Sequence, residues 1–497
     1  MTSLLSLPPE LLLHITSYHT PPTILSLMRT NHALHHLLHT SHALAESIFN
    51  DIAYATSAVY HAAKRGDKQT IQRLVKSDIL DAVKFRLNTA VLNKSAQVIG
   101  TLLECGVPAD TRNGWGETPL ISAARFGRVE VVRLLLARKG SGRGGLVDVN
   151  SVDNRRMSAL AYAAYKWVEV VKVLLDRADI DVNARDTDGR SALYHALGFW
   201  SAWKNVAILL EDARVDVNLR DRLRRTPLHL AVSNGKAAAL NMLLDCERVD
   251  VNAEDQHHRS PLCTAVQLGS PTTVHSLLQR KDVNVNARCP LGMSALSHAI
   301  SSSPSPPIYR QYNTYAHQSK QFRDIIALLL ADPRVEVNLP DHELRTPLHL
   351  ALRRGRRYIL DMLLKREGVE VNARDKDGFT PLGYAIHFLD HGKWWDKLVK
   401  LLLEDARVDV NLANDEGLTP LHIAVIERKV PLVRLLLAGG KVDRELVDGK
   451  GLKAEEYVVG AGELFEGVFE EQWSKVVFGW VMKRFLLLWD MAYLRAN

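Results

Sequence analysis

The stretch from Thr118 to Ala137 decides the fold: it opens with Thr118-Pro119-Leu120-Ile121-Ser122-Ala123 and closes with Val129-Glu130-Val131-Val132-Arg133-Leu134-Leu135-Leu136-Ala137. The Thr118 hydroxyl is of the type that accepts amide hydrogens at a helix start, and Pro119 suits the first helical turn, where its missing N–H is not needed. Leu120 and Ala123 then fall on one face. In the closing string Val132, Leu135 and Leu136 recur at three- and four-residue spacing, so a second helix carries an apolar stripe. That stripe can pack on the first helix and on a neighbouring unit, but a lone pair of such helices could not bury it.

The same opening string recurs as SALAYA at Ser158, SALYHA at Ser191, TPLHLA at Thr226, SPLCTA at Ser260, SALSHA at Ser294, TPLHLA at Thr346, TPLGYA at Thr380 and TPLHIA at Thr419. The intervals are 40, 33, 35, 34, 34, 52, 34 and 39 residues. Each copy leads into an apolar helix such as Val430 to Ala438, and a VNxxD-like turn usually follows, as from Val182-Asn183 to Asp186 and from Val371-Asn372 to Asp375. From about residue 55 to residue 445 the chain resembles the ankyrin-repeat family, whose period is roughly 33 residues. The resemblance implies an all-α solenoid of about eleven helix-pair repeats that binds other proteins.

Degenerate copies beginning at Ala58 and Ala90 keep the helix pair but lack the opening string, which makes residues 51–110 a degenerate start and residues 111–445 the clear array. The 52-residue interval holds a Ser- and Pro-rich insertion, residues 301–321, expected as a mobile loop between the two helices of one repeat. Ser303 and Ser305 each precede a proline there, an arrangement open to phosphorylation. Residues 446–497 read as a degenerate final repeat, from Asp448 to Val459, and a helix carrying Trp473, Val477, Trp480, Val481 and Leu488 that caps the last apolar face.

Residues 1–50 do not follow the repeat. Leu7 to Ile15 (LPPELLLHI) and Thr20 to Leu38 resemble the F-box, a small helical module that docks the Skp-type adaptor of cullin ubiquitin ligases. The resemblance implies adaptor contacts through Leu7, Pro8, Leu11, Leu12, Ile15, Leu25 and Leu27. Two functions are open on this reading. One is the substrate-recognition subunit of a Skp-cullin-F-box type ligase; the other is an ankyrin scaffold or sequestering protein whose first helices only cap the array.

Composition excludes several classes. Of the residues, 46% are hydrophobic and 24% charged, as in ordinary globular chains. The opening MTSLLSLPPELLLHI has no basic start and carries Pro8, Pro9 and Glu10, so a secretory leader is not expected and the expected location is cytoplasmic and/or nuclear. The longest apolar run, Val476 to Trp489, is broken by Lys483 and Arg484 and is too short to span a bilayer. Cys105, Cys246, Cys263 and Cys289 form no CxxC pair and read as core filler. A net charge of +7 permits acidic partners, yet over 497 residues it does not demand nucleic acid.

No catalytic constellation is legible, and no cofactor or metal is expected. Gly140 to Gly145 fits GxGxxG but follows a helix instead of a strand, which is the wrong setting for a dinucleotide. His32, His35, His36 and His39 share helical spacing without nearby Cys or carboxylate ligands, and read as a solvated stripe. His229, His349 and His422 of the TPLH strings read as structural.

The candidate target-binding residues are basic. Arg190, Arg225, Arg259 and Arg345 occupy one repeat position, with Arg155, Arg156, Arg222, Arg224, His257 and His258 close by. Stacking predicts a basic ladder along one edge, suited to an acidic segment of a target. Trp115, Trp200, Trp394 and Trp395 are candidate aromatic anchors.

Overall fold

The computed structural model describes residues 52–69, 71–72, 87–137, 147–198, 202–302, 313–388 and 395–458. Contacts divide the chain into two compact units, residues 1–249 and 250–497. Among the described residues the first unit contains α1 (Ile52–Arg65) and then helix pairs α2 (Leu87–Asn93) with α3 (Ala96–Glu104), α4 (Pro119–Arg125) with α5 (Val129–Leu136), and α6 (Ala159–Ala164) with α7 (Val168–Leu175). It continues with α8 (Ala192–Gly198) and α9 (Trp203–Glu211), then α10 (Pro227–Asn234) and α11 (Ala237–Asp245). The second unit repeats the plan: α12 (Pro261–Gln267) with α13 (Pro271–Leu278), α14 (Ala295–Ser302) with α15 (Asn313–Ala331), and α16 (Pro347–Arg353) with α17 (Arg357–Leu364). Its last pairs are α18 (Pro381–Phe388) with α19 (Trp395–Glu404) and α20 (Pro420–Ile426) with α21 (Val430–Ala438), followed by a 3-10 turn at Ala454–Val458. Within each unit first helices pack on first helices and second helices on second helices, with no strand among the described residues beyond two isolated bridges.

The sequence signals act where the spacing puts them. Thr118, Ser158, Ser260 and Thr419 each accept a backbone N–H three residues on, as N-caps. The leucine of every opening string, from Leu120 through Leu228 to Leu421, is at most 2% exposed. Fully burying such a side chain is worth roughly 1.5–3 kcal/mol, so these leucines form the spine of each stack. Cys105 and Cys263 are buried as expected, whereas Cys246 and Cys289 sit half-buried in turns and do not fill the core.

The insertion differs from expectation. Residues 301 and 302 complete α14, and residues 313–321 are helical because α15 extends backward to Asn313. No Pro or Gly follows Pro307 until past Ala331, so nothing stops the second helix from growing toward the insertion. The remaining residues 303–312, with Ser303 and Ser305, lie outside the described residues. So do residues 1–51, Gly140–Gly145, Trp200, Trp394 and the C-terminal segment from 459.

The turns between repeats are held by two side-chain systems. In the first, an Asp or Asn at the head of every finger-like turn except the one headed by Cys289 takes two N–H groups on its Oδ1: Asp186 from Asp188 and Arg190 (2.8 and 2.9 Å), Asp341 from Glu343 and Arg345 (3.0 and 2.9 Å), Asn414 from Glu416 and Leu418 (3.1 and 2.9 Å). Successive turns within a unit are joined by backbone bonds, such as Thr187 N–H to Arg155 O (2.9 Å) and Lys376 N–H to Glu343 O (3.0 Å). In the second, the Asn of most VN pairs clasps the next repeat with both ends of its amide. Asn183 donates to Arg214 O (2.9 Å) and accepts from Asp216 N–H (2.8 Å), and Asn372 does the same with Arg407 O (2.8 Å) and Asp409 N–H (2.9 Å).

Each finger turn needs one residue in the left-handed region. Gly378 supplies it at φ 77°, where an added Cβ would also strike Asp415, but Arg156, Arg224, His258 and Leu344 occupy it in other turns at φ 54–59°. A branched residue is disfavoured there by Cβ–carbonyl crowding of roughly 1–2 kcal/mol. Leu344 is half exposed, so its side chain returns little packing energy. Leu344→Gly is therefore expected to raise the urea midpoint of unfolding, with a gain of about 1 kcal/mol after the entropy of glycine is allowed for. An unchanged or lower midpoint would show that the turn carries no strain.

Candidate protein interface

The finger turns carry the basic residues singled out from the sequence, and the structure shows what each of them meets. Arg190, Arg225, Arg259 and Arg345 each occupy the same place in their own turn, but as ion pairs and not as free cations. Each Nε sits 2.9–3.0 Å from the second oxygen of the buried aspartate four residues earlier: Asp186, Asp221, Asp255 and Asp341. Arg190 also pairs with Asp188, and Arg259 reaches Gln267 at 2.9 Å. The physical reason is that the carboxylate anchoring each turn is nearly out of solvent, and a buried charge requires a counter-charge. At Asp186 and Asp255 burial alone would raise the carboxyl, yet the N–H groups and guanidinium around each hold it below the usual range.

The other six basic candidates are at the tips. Arg155, Arg156, Arg222, Arg224, His257 and His258 are all exposed. His258 lies 2.9 Å from Glu254, and His257 contacts Gln256 at 3.0 Å. Of these six, the four arginines stand in two turns of the first unit and the two histidines in one turn of the second.

Apolar side chains are exposed in the same turns and helix ends of each unit. Trp115 is 69% exposed at the tip of its turn, and Leu223, Leu291 and Leu344 are exposed in corresponding turns. Phe126, Leu268, Phe388 and Ile426 are exposed around the ends of first helices. The leucines were not singled out from sequence, because an isolated Leu in a polar turn has no periodicity to mark it. In the second unit a cleft of about 260 Å³ opens between the turns and first helices of two repeats, lined by Arg345, Arg353, Asp375, Tyr384 and Phe388 among others. It is smaller than the roughly 300–1,000 Å³ of small-molecule sites.

The histidines of the opening strings are structural. His349 Nδ1 accepts from Thr346 N–H (3.2 Å) and lies 2.9 Å from Thr346 Oγ1, while Nε2 lies 3.1 Å from Phe379 O in the next repeat. The Nε2–H tautomer satisfies both ends without charge. His422 makes the same bridge from Thr419 to Leu452 O (3.0 Å). His195, one position further along its helix, is held between Tyr165 Oη (2.9 Å, on Nδ1) and Asp186 (3.0 Å, on Nε2). This Tyr-His-Asp series tightens the junction of two repeats and has no nucleophile. Among the described residues no group of three or more His, Cys, Asp or Glu could hold a metal ion, and no helix is long and apolar enough to cross a membrane.

Repeated helix pairs joined by anchored turns define an interaction protein of the ankyrin class, and comparison with known families agrees. "Ankyrin repeats (3 copies)" match residues 87–186, 143–221, 181–255, 199–289 and 314–394, together more than half of the chain, and "Ankyrin repeats (many copies)" match 395–437. The chain belongs to the ankyrin-repeat family, and it carries an F-box-like domain at residues 4–51. Both are interaction modules, not catalytic ones. The chain is 35% identical over 142 residues, 28% of its length, to an ankyrin repeat domain-containing protein, SAT10, of Stachybotrys chartarum. It is 41% identical over 117 residues, 23% of its length, to alpha-latrotoxin-Lg1a of Latrodectus geometricus. These matches span only 6% and 8% of those proteins' own lengths. A solved ankyrin repeat domain of Acinetobacter baumannii AYE is 29% identical, with 41% of this chain and 95% of that one covered and a TM-score of 0.36.

Burial pushes both His195 and His349 down to about 4 from 6.5. The folded state therefore holds them neutral while the unfolded chain takes up protons below about pH 6.5, so stability falls as pH drops from 6.5 toward 4 and is level above that window. Summed over that window, each accounts for up to roughly 3 kcal/mol. His349→Gln, which keeps hydrogen-bonding capacity without a titrating ring, is expected to unfold more easily at pH 7 but to lose less further stability between pH 6.5 and 4. Urea midpoints across that range check it, and parallel profiles for the two proteins would contradict it.

Proposed function

We propose that this protein is the substrate-recognition subunit of a Skp-cullin-F-box type ubiquitin ligase. The observation that carries the reading is the joining, in one chain, of an F-box-like domain at residues 4–51 to ankyrin repeats matched from residue 87 onward. Leu7, Pro8, Leu11, Leu12, Ile15, Leu25 and Leu27 of the F-box-like domain would supply the apolar surface for the adaptor. The array would hold the target, with Arg155, Arg156, Arg222, Arg224, His257 and His258 at the finger tips meeting acidic groups. Arg190, Arg225, Arg259 and Arg345 would contribute through whichever guanidinium edges their own aspartates leave open.

No catalytic group is required of such a subunit. Holding a target near the ligase's activated ubiquitin replaces a bimolecular encounter by an intramolecular one, and effective concentrations in the millimolar range are reached with short linkers. The protein's contribution is two binding free energies and the covalent link between them. Restriction to the cytoplasm and nucleus, where such ligases act, belongs to the same proposal.

Co-purification with a Skp-type adaptor tests it. Wild type is expected to retain the adaptor, and Leu11→Asp, which places a charge in the apolar surface, to lose it by about ten-fold or more. Removal of residues 1–45 should abolish adaptor binding while leaving thermal unfolding of the array nearly unchanged. Equal, negligible recovery by wild type and Leu11→Asp would end the ligase reading. A large fall in melting temperature on truncation would instead mark the first helices as a cap on a scaffold protein.

A further inference from the structure

Aspartate recurs at the head of the finger turns, and its second oxygen is matched each time but once. Asp186, Asp221, Asp255 and Asp341 receive the arginine four residues later. Asp153 and Asp448 receive a tyrosine nine residues later, Tyr162 at 2.7 Å and Tyr457 at 2.5 Å. At Asp375 the +4 position is Phe379, whose ring stacks on His387, and the +9 position is Tyr384, which is coupled to Arg345 instead. Asp375 Oδ1 takes the usual pair of N–H groups, from Asp377 (3.1 Å) and Phe379 (2.8 Å), and Oδ2 takes none.

Asp375 is only 7% exposed, yet it lines the 260 Å³ cleft beside Tyr384 and the half-exposed Phe388. A buried carboxylate is stable only with a partner or a proton. Burial indeed raises the Asp375 carboxyl, in contrast to its neighbours in register at 186 and 255. None of the cations lining the cleft forms an ion pair with Asp375. Arg345 acts on Asp375 from a distance and partly offsets the effect of burial, but its guanidinium is held by Asp341 at 2.8 Å; Lys376 faces Glu343 at 3.7 Å, and Arg353 lines the cleft without an ion pair to Asp375.

We propose that the Asp375 cleft is a receptor slot for one arginine side chain carried by the protein that the repeats bind. The partner's guanidinium would take the place that arginine holds within four sibling turns, with its alkyl stem along Phe388 and Tyr384. Charge complementarity selects this occupant: the cleft offers an unmatched carboxylate backed by aromatic rings, which suits a cation and rejects a neutral amide of the same shape. The slot deepens the reading of the array as a target-binding surface, and it does not depend on the adaptor.

Asp375→Asn is a clean variant, because Asn414 anchors its own turn through the same two N–H bonds. The full chain is titrated with N-acetyl-arginine amide, followed by ligand-detected NMR, with N-acetyl-citrulline amide as the uncharged isostere. Wild type is expected to bind the arginine probe saturably in the millimolar range and about ten-fold or more tighter than the citrulline probe. Asp375→Asn should abolish that preference. Phe379→Arg, which restores the internal partner, should also lose the probe. Equal binding of the two probes by wild type, or an arginine preference that survives either substitution, would overturn the slot. The ligase reading would stand in that event, since adaptor capture is measured separately, and the slot would likewise survive a negative adaptor result.

Discussion

A turn buried between helix pairs has no β-ladder to absorb its N–H and C=O groups, and each group left unmet would cost roughly 1–3 kcal/mol. Here one short polar side chain meets that demand in every finger turn but the one headed by Cys289. The Asp or Asn at the finger head takes two amide hydrogens, and the VN asparagine clasps both a carbonyl and an amide of the following repeat. Apolar burial makes helix pairs adhere, but it is non-directional and would tolerate sliding. The asparagine clasps, with donor and acceptor both fixed, set the register at which each pair meets the next.

Choosing a carboxylate for the finger head has an electrostatic consequence. Asparagine at 113 and 414 does the same turn chemistry without charge, so every aspartate at that register brings a negative group out of water and needs an answer. Arginine at +4 or tyrosine at +9 gives it. Four arginines that look like a ladder for a ligand are in this light the cost of using aspartate as an anchor, and their guanidinium edges are only partly open to solvent. The exception at Asp375 is informative because the rule around it is so regular.

The helix pairs were legible because their signals are periodic: a hydroxyl cap, a proline and a leucine return at nearly constant spacing, and the structure starts helices at those places. Three kinds of feature were not. The ion pairs of Arg190, Arg225, Arg259 and Arg345 join residues across a turn, where no helical or strand periodicity announces that i and i+4 face each other. The insertion was bounded by composition, and composition does not show that a polar run such as Asn313 to Gln321 continues the following helix. A further row, Arg214, Arg248, Arg334 and Arg407, went unread although the sequence repeats RVDVN and RVEVN. These guanidinium groups reach back to the last carbonyls of the preceding second helix, as Arg214 does to Leu175 O (2.7 Å) and Arg407 to Leu364 O (2.7 Å). A cation there offsets the negative end of the helix dipole and satisfies its orphan carbonyls.

Separation of these duties explains how a repeat stack can acquire new partners without losing its fold. Residues one to three places beyond several anchors, such as Arg155, Arg156, Leu223 and Arg224, are exposed, and the stack uses their backbone in preference to their side chains. Substitutions at such positions usually alter stability by no more than about 0.5 kcal/mol, whereas loss of an anchor leaves buried amides unmet. Specificity can therefore drift at the tips while the anchors stay fixed. Asp375 shows a second route, in which an anchor remains but its internal counter-charge is replaced by Phe379, so that a structural carboxylate becomes available for recognition without any change in the turn it holds.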